Sequence, residues 1–352
     1  MSTQRSKSFI PDSLLNAHTL CFLNHDILVQ LLRSGEKQDA FRYRLRLNGE
    51  DDRLKLGTAD NIFDWLETTG RIKERTEVLR TVVFPALLSD YLHFMYEALD
   101  TSKKAKLTVT YSLLRKPLQE ALYLFETMLT DLDLFGKLII ENPAELHSQS
   151  AGGLDIHIKR ISKVLDILGE TDRFDAEYLS QLRYDKNAND GFDGICNKAI
   201  HLFTSHHAIR TEPLNINFIF SDLDAKLTQW QYLYSRLPYL LTYSRMVVEK
   251  LCSTFSKTWP EYLEDMERRV SAGVLLWAPS ISKEYMNTAI TKFVETTRLR
   301  LRQHCKASGF REPTLKDLWR MRSKGTFPGE SSLRIWIRTR TYSMITRMQH
   351  LD

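Results

Sequence analysis

Turn-forming residues are scarce in this chain. It carries only 14 glycines and 10 prolines in 352 residues, fewer glycines than an average composition supplies. A β-sandwich or barrel needs frequent tight turns, and a low-complexity chain needs still more of these residues. Leu, Lys, Arg, Glu and Ala are abundant instead, and they suit helices. Apolar residues recur at helical spacing through most of the sequence, so the pattern predicts a mainly α, multi-helix bundle.

The first helix begins near the capping pair Asp12-Ser13. Leu14, Leu15, His18, Phe22, Leu28 and Leu31 follow it, and Gly35 is placed to end it. Helices are predicted over 59–69, 71–100, 104–115, 117–130, 155–168, 174–184, 193–206, 222–256, 260–277, 282–307 and 313–323. Pro117 marks a kink or a fresh start, and Pro238 an interruption. Residues 213–220 read as extended.

Two stretches allow minor strands. In 40–56, Phe41, Tyr43, Leu45 and Leu47 alternate with Arg42, Arg44 and Arg46, and Asn48-Gly49 follows. This reads as a β-hairpin, or equally as a helix whose arginines snorkel. In 333–342, Arg334, Trp336, Arg338 and Arg340 alternate, as in a strand, although a helix also fits.

Ala151-Gly152-Gly153 is the best linker signal. It divides the chain into a disordered start (1–10), an N-terminal helical unit (11–150), a central helical unit (154–307) and a basic C-terminal segment (308–352) packed on the helical body. The polar start predicts no signal peptide, and no apolar run approaches a membrane span. The four cysteines are far apart and form no CxxC, which suits reduced thiols. These features together predict a soluble cytoplasmic protein with no membrane partner.

Charge is concentrated at one end. Residues 298–352 carry thirteen Arg/Lys against four acids, a net +9, so the remainder of this +5 chain stands at −4. Trp319, Phe327, Trp336 and Tyr342 are interleaved with the cations. Arginine grips phosphate bidentately and aromatic rings stack on unpaired bases, so a nucleic-acid surface is indicated. Its candidate residues are Arg300, Arg302, Arg320, Arg322, Lys324, Arg334, Trp336, Arg338 and Arg340. The competing partner is an acidic protein surface, with Trp319, Trp336 and Tyr342 as anchors.

Motif absences narrow the chemistry. The chain has no GxGxxG, P-loop, HExxH or GxSxG, and no cofactor is indicated. The 185–191 loop resembles a calcium loop at Asp185, Asn187 and Asn189, but Asp190 stands where glycine is needed and Cys196 where glutamate is needed. His201, His206 and His207 do not share a helical face, so no metal site is assigned. Arg115 lacks a carboxylate at the favoured spacing and is expected to pair with a more distant residue.

One constellation has a catalytic form. Arg298 precedes His304 by six positions on the predicted 282–307 helix. A guanidinium can stabilise developing phosphate charge while an imidazole moves a proton. With the helical body, this resembles the Arg/His motif of HEPN ribonucleases, all-helical enzymes of prokaryotic toxin and phage-defence systems. The resemblance implies metal-independent RNA cleavage, with Arg298 as charge stabiliser and His304 as general acid/base, in a homodimer or larger complex. The reading from the residues alone is an RNA- or single-strand-binding helical protein, or a non-catalytic scaffold docking an acidic partner.

Overall fold

The computed structural model describes residues 8–148, 152–188, 190–200 and 221–336. Fourteen α-helices and short 3-10 and π turns occupy them, with no strand among the described residues. The first half holds α1 (Leu15–Lys37), α2 (Glu50–Thr58), α3 (Ile62–Thr68), α4 (Ile72–Lys103), α5 (Leu107–Lys116), α6 (Leu122–Thr130) and α7 (Leu132–Glu141). The second holds α8 (Leu154–Leu168), α9 (Ala176–Tyr184), α10 (Phe192–Ile200), α11 (Leu223–Phe255), α12 (Pro260–Trp277), α13 (Thr288–Ala307) and α14 (Leu315–Lys324).

The apolar run 223–255 becomes α11, about 50 Å long at 1.5 Å per residue, and it is buried on every side along its middle. Helices α1, α5, α6 and α8 pack around it, and α4 lies against α1, α5 and α7. One contiguous core runs from Ile10 to Val294 and draws on residues either side of 151–153. A second, smaller core joins α12, α13 and α14. No helix among the described residues is long and apolar enough to cross a membrane.

Local sequence explains several helix ends. Asn61, Asp131, Asp175, Asp222 and Asn287 cap with their side chains. Thr314 and Asp317 form a reciprocal capping box at α14. Gly169 stops α8 in the left-handed conformation. Pro117 opens a π turn, Pro117–Ala121, that joins α5 to α6.

Three expectations are corrected, and a fourth, open between strand and helix, is decided where it is described. The 40–56 hairpin is absent: residues 42–48 run without regular structure, and Glu50–Thr58 is helical. Glu50, Asp51 and Asp52 fill the first turn of α2, where acids complement the helix dipole, and Asp52 accepts the Asn48 N–H at 2.7 Å. Asn48-Gly49 is thus a helix entry. At the other end, 332–336 form one helical turn, with the Arg334 N–H donated to Ser331 Oγ. Residues 337–342 lie outside the described residues, as do 201–220. Gly35 does not end α1. It instead admits the Phe41 ring, whose nearest carbons stand 2.5 Å from where a Cβ would be.

The third correction is Pro238, which leaves α11 unbroken. Proline has no N–H for the carbonyl four residues back. That carbonyl, Tyr234 O, accepts the Trp277 indole N–H at 2.7 Å. The ring replaces the missing backbone donor, and Trp277 is fully buried.

Charges inside the bundle are paired. Glu126 of α6 accepts from Arg160 Nε at 3.1 Å and from the Tyr243 hydroxyl at 2.8 Å, and it is bridged by Arg183. Burial alone would raise its carboxyl, but Arg183 and Arg160 outweigh that and hold it down. Arg115 finds Asp193, 3.5 Å away and far along the chain, as expected. Asp190 is taken by Arg236 and the Tyr178 hydroxyl, and Asp185 accepts from the Asn187 and Ala188 N–H groups.

Two measurements follow from this packing. Trp277→Phe should cost about 2–4 kcal/mol in urea unfolding, through lost volume and an orphaned carbonyl. Adding Pro238→Ala should recover part of the loss by restoring a backbone donor, and strict additivity would refute the replacement. Burial, helped by Lys103, lowers His18 to about 4, and burial with Arg160 and Arg183 lowers His157 to about 4. Both histidines fold neutral. The stability they contribute is present above pH 6.5 and is lost as pH falls toward 4, up to about 3 kcal/mol each. Urea midpoints measured across that window should show the fall, and His18→Asn should remove about half of it.

Candidate functional site

The C-terminal cations are positioned by the small core of Ala272, Leu276, Leu301, Cys305, Leu318, Met321 and Phe327. Apolar residues three and four apart face α13 and α14 inward, which turns the charged positions between them outward. Gly325 adopts φ +61, and a Cβ there would stand 2.0 Å from Asp265 Oδ1. That close turn brings the end of α14 onto α12. Arg269 donates to Ser323 O at 3.0 Å and Arg268 to Gly325 O at 3.3 Å, while Asp265 holds both guanidinium groups at 2.9 Å.

Beside this junction lies a cleft of about 510 Å³ between the end of α8 and helices α11, α12 and α13. Its walls carry Glu170, Glu249, Glu264 and Glu267 together with Arg245, Lys250, Arg268, Arg300 and His304. Charges alternate along it. Arg245 bridges Glu249 and Glu267 at 2.6 Å each, and Arg173 reaches Glu267 at 2.7 Å from behind. Burial would push the Glu267 carboxyl up, but Arg173 and Arg245 hold it at about 2. Glu249 is raised, mainly by burial, and its Oε1 has no hydrogen-bond partner.

His304 lines this cleft, and Arg298 does not. Six residues along an α-helix turn the side chain to a direction about 120° away. Arg298 is exposed on the outer stripe of α13, whereas His304 is half-buried. The guanidinium beside His304 is Arg268, 3.1 Å from Nε2. A guanidinium only donates, so Nε2 accepts and the ring proton sits on Nδ1. Burial and then Arg268 lower the His304 pKa. The ring also stacks on Phe327, with centroids 5.5 Å apart. It is a neutral, engaged imidazole, less disposed to take a proton than an ordinary histidine.

The C-terminal cations, the predicted site residues among them, divide into two sets. Arg300 is committed to Glu170 and Asp172, Arg302 to Glu312 and Arg311 to Asp317. Arg320 donates to the Glu330 carbonyl and Arg322 to Asn16 Oδ1. Phe327 is buried. Arg298, Lys306, Lys316, Lys324 and Arg334, by contrast, are exposed and form no ion pair among the described residues. Trp319 and Trp336 stand exposed in the same region, at 45% and 52%, and Arg322 lies over the Trp319 ring at 4.5 Å. Arg338, Arg340 and Tyr342 lie outside the described residues, as do His201, His206 and His207. No cluster of three potential metal ligands occurs among the described residues.

Sequence reasoning missed Arg245, Glu249, Glu267 and Arg268, which build the cleft. One signal was present: Arg245 sits in a long apolar run with Glu249 four residues on, the spacing of a helical ion pair. The chain matches no family model, and no curated protein or solved structure shows significant similarity to it.

The placement of Arg268 makes His304 a reporter. Arg268→Gln removes a positive charge beside the imidazole, so the His304 pKa should rise. Proton NMR titration of the ring C–H resonances reads this directly. An unchanged or lower value would mean that burial alone holds the ring neutral.

Proposed function

We propose that this protein is a binding module that holds single-stranded nucleic acid, RNA first, along the outer faces of α13 and α14. The observation that carries the reading is the division among the C-terminal cations. Arg300, Arg302 and Arg311 are spent on Glu170, Asp172, Glu312 and Asp317, and Arg320 and Arg322 are held by neutral oxygens. Arg298, Lys306, Lys316, Lys324 and Arg334 keep their charge for solvent, with two exposed tryptophans near them. Phosphates meet point charges there, and unpaired bases meet indole faces.

The reading stops at binding. Cleavage of the HEPN type calls for an arginine and a histidine that act together, and Arg298 and His304 point to different sides of α13. The Arg268–His304 contact brings the two residue types together in another way, but it ties the imidazole to the guanidinium in a cleft whose four glutamates match its four cations, so no net positive charge draws a phosphodiester in.

A scaffold role remains the second reading, because Leu315 and Leu333 are exposed at 67% and 66% beside the tryptophans, and leucine has no use for phosphate. Fluorescence anisotropy separates the two. Binding to single-stranded RNA should weaken with salt, with a log–log slope of magnitude about 3.5 if all five cations meet phosphates. Lys316→Ala with Lys324→Ala should lower that magnitude by about 1.4. Trp319→Ala should cost about 1–3 kcal/mol if a base stacks there. RNA should remain intact in EDTA, before and after His304→Ala. No RNA binding at low salt, with retained binding of an acidic amphipathic peptide, would replace this reading by the scaffold.

A further inference from the structure

A second cavity, of about 300 Å³, lies at the opposite end of α12 from the Trp277 contact, where the C-terminal turns of α1 and α11 meet the first turns of α12. Its size is at the small end of the range for ligand pockets. Phe41, Phe255, Trp259 and Tyr262 supply aromatic walls, and Glu261 and Asp265 supply carboxylates. No lysine, arginine or histidine among the described residues lines it.

That composition selects by charge. The last carbonyls of two helices converge on the cavity, and a helix C-terminus carries partial negative charge. The N-terminus of α12 opposes them, but Glu261 sits in its first turn. Asp265 is tied to Arg268 and Arg269, neither of which lines the cavity. A phosphate or carboxylate would find no cationic partner among the described lining residues. Aromatic faces attract cations through their quadrupoles, most strongly where water is excluded. Phe255 is already engaged, with Arg80 4.3 Å over its ring and Phe84 stacked on it at 5.0 Å, so the cation attraction falls to Trp259, Tyr262 and Phe41. Tyr262 is held by its hydroxyl, which donates to Gln30 Oε1 at 3.0 Å, and Phe41 packs edge-on to Phe255 at 5.3 Å. The walls are therefore set before any ligand arrives. Cys252 lines the cavity as an inert thiol, pushed up to about 12 by burial.

We propose that this cavity binds a small organic cation, a compact quaternary or alkylated ammonium compound, between the aromatic walls and the carboxylate end. The site is separate from the α13–α14 face and does not depend on the nucleic-acid reading.

The test compares choline with 3,3-dimethylbutan-1-ol, its neutral carbon isostere, by calorimetry and ligand-observed NMR on the full chain at matched ionic strength. Choline should bind saturably, at one site, at least about ten-fold more tightly than the alcohol. Trp259→Leu should weaken choline about ten-fold and leave the alcohol within about two-fold. Trp259 is 39% exposed, so the variant should fold, and an unchanged melting temperature confirms that it has. Glu261→Gln gives a second reading and should also weaken choline selectively. Equal binding of the two compounds, no saturable choline binding in the low-millimolar range, or choline binding unaffected by both substitutions would overturn the proposal.

Discussion

A helix buried on every side cannot leave its polar groups to water, and α11 is such a helix. Within it Arg236, Arg245, Ser235, Thr242 and Ser244 are buried along with the tyrosines and leucines. Each polar side chain must find a partner or lose about 1–3 kcal/mol for a neutral group and more for a charge; Ser235, Thr242 and Ser244 donate to carbonyls of α11 itself, while the tyrosines and arginines must be met from outside the helix. The partners come from different elements. Tyr234 meets His18 of α1 and Ser102 of α4, and Tyr239 accepts the Asp175 N–H at the start of α9. Tyr243 reaches Glu126 of α6, Arg236 reaches Asp190, and Arg245 reaches Glu267 of α12. Leucines alone would tolerate several arrangements of helices around α11. These pairings tolerate few, because a displaced neighbour leaves a group unsatisfied in a low-dielectric interior.

Net stability need not come from these ion pairs. Desolvating a carboxylate and a guanidinium costs several kcal/mol per ion, and the attraction between them often no more than cancels it. Glu126 shows what the arrangement achieves instead. Three helices other than its own contribute Arg160, Arg183 and Tyr243 to one carboxylate, so α6, α8, α9 and α11 are held in a common register. Removing one partner would leave the others buried and uncompensated, and this makes the junction cooperative.

The same accounting separates structure from surface at the basic end. A high density of arginine reads as a phosphate-binding surface only if the charges reach solvent uncompensated. Arg300 spans to Glu170 and Asp172 and thereby fastens α13 to the end of α8. Arg268 and Arg269 fasten α14 to α12 through the carbonyls at its C-terminus. The cations still available to a partner are the ones no neighbouring helix required, and their spacing follows the outward stripes of α13 and α14.

By itself the sequence determined the helical class, the positions of most helices and several of their caps, since these depend on residues within a few positions of one another: Asp222 before α11, Thr314-x-x-Asp317 at α14, Gly169 after α8. Tertiary structure decided what depends on distant groups. Pro238 reads as a break until Trp277 supplies a donor to Tyr234 O, and nothing in the local sequence contains that donor. Asn48-Gly49 fits a hairpin until no second strand exists to pair, and the acids after it make a helix entry instead. The spacing of Arg298 and His304 is a linear fact. Their separation onto two sides of α13 follows from which side the small core buries, and the arginine that does meet His304 lies 36 residues earlier in the chain, on α12. Charge could be counted in the sequence, but only packing could decide which charges were already spent.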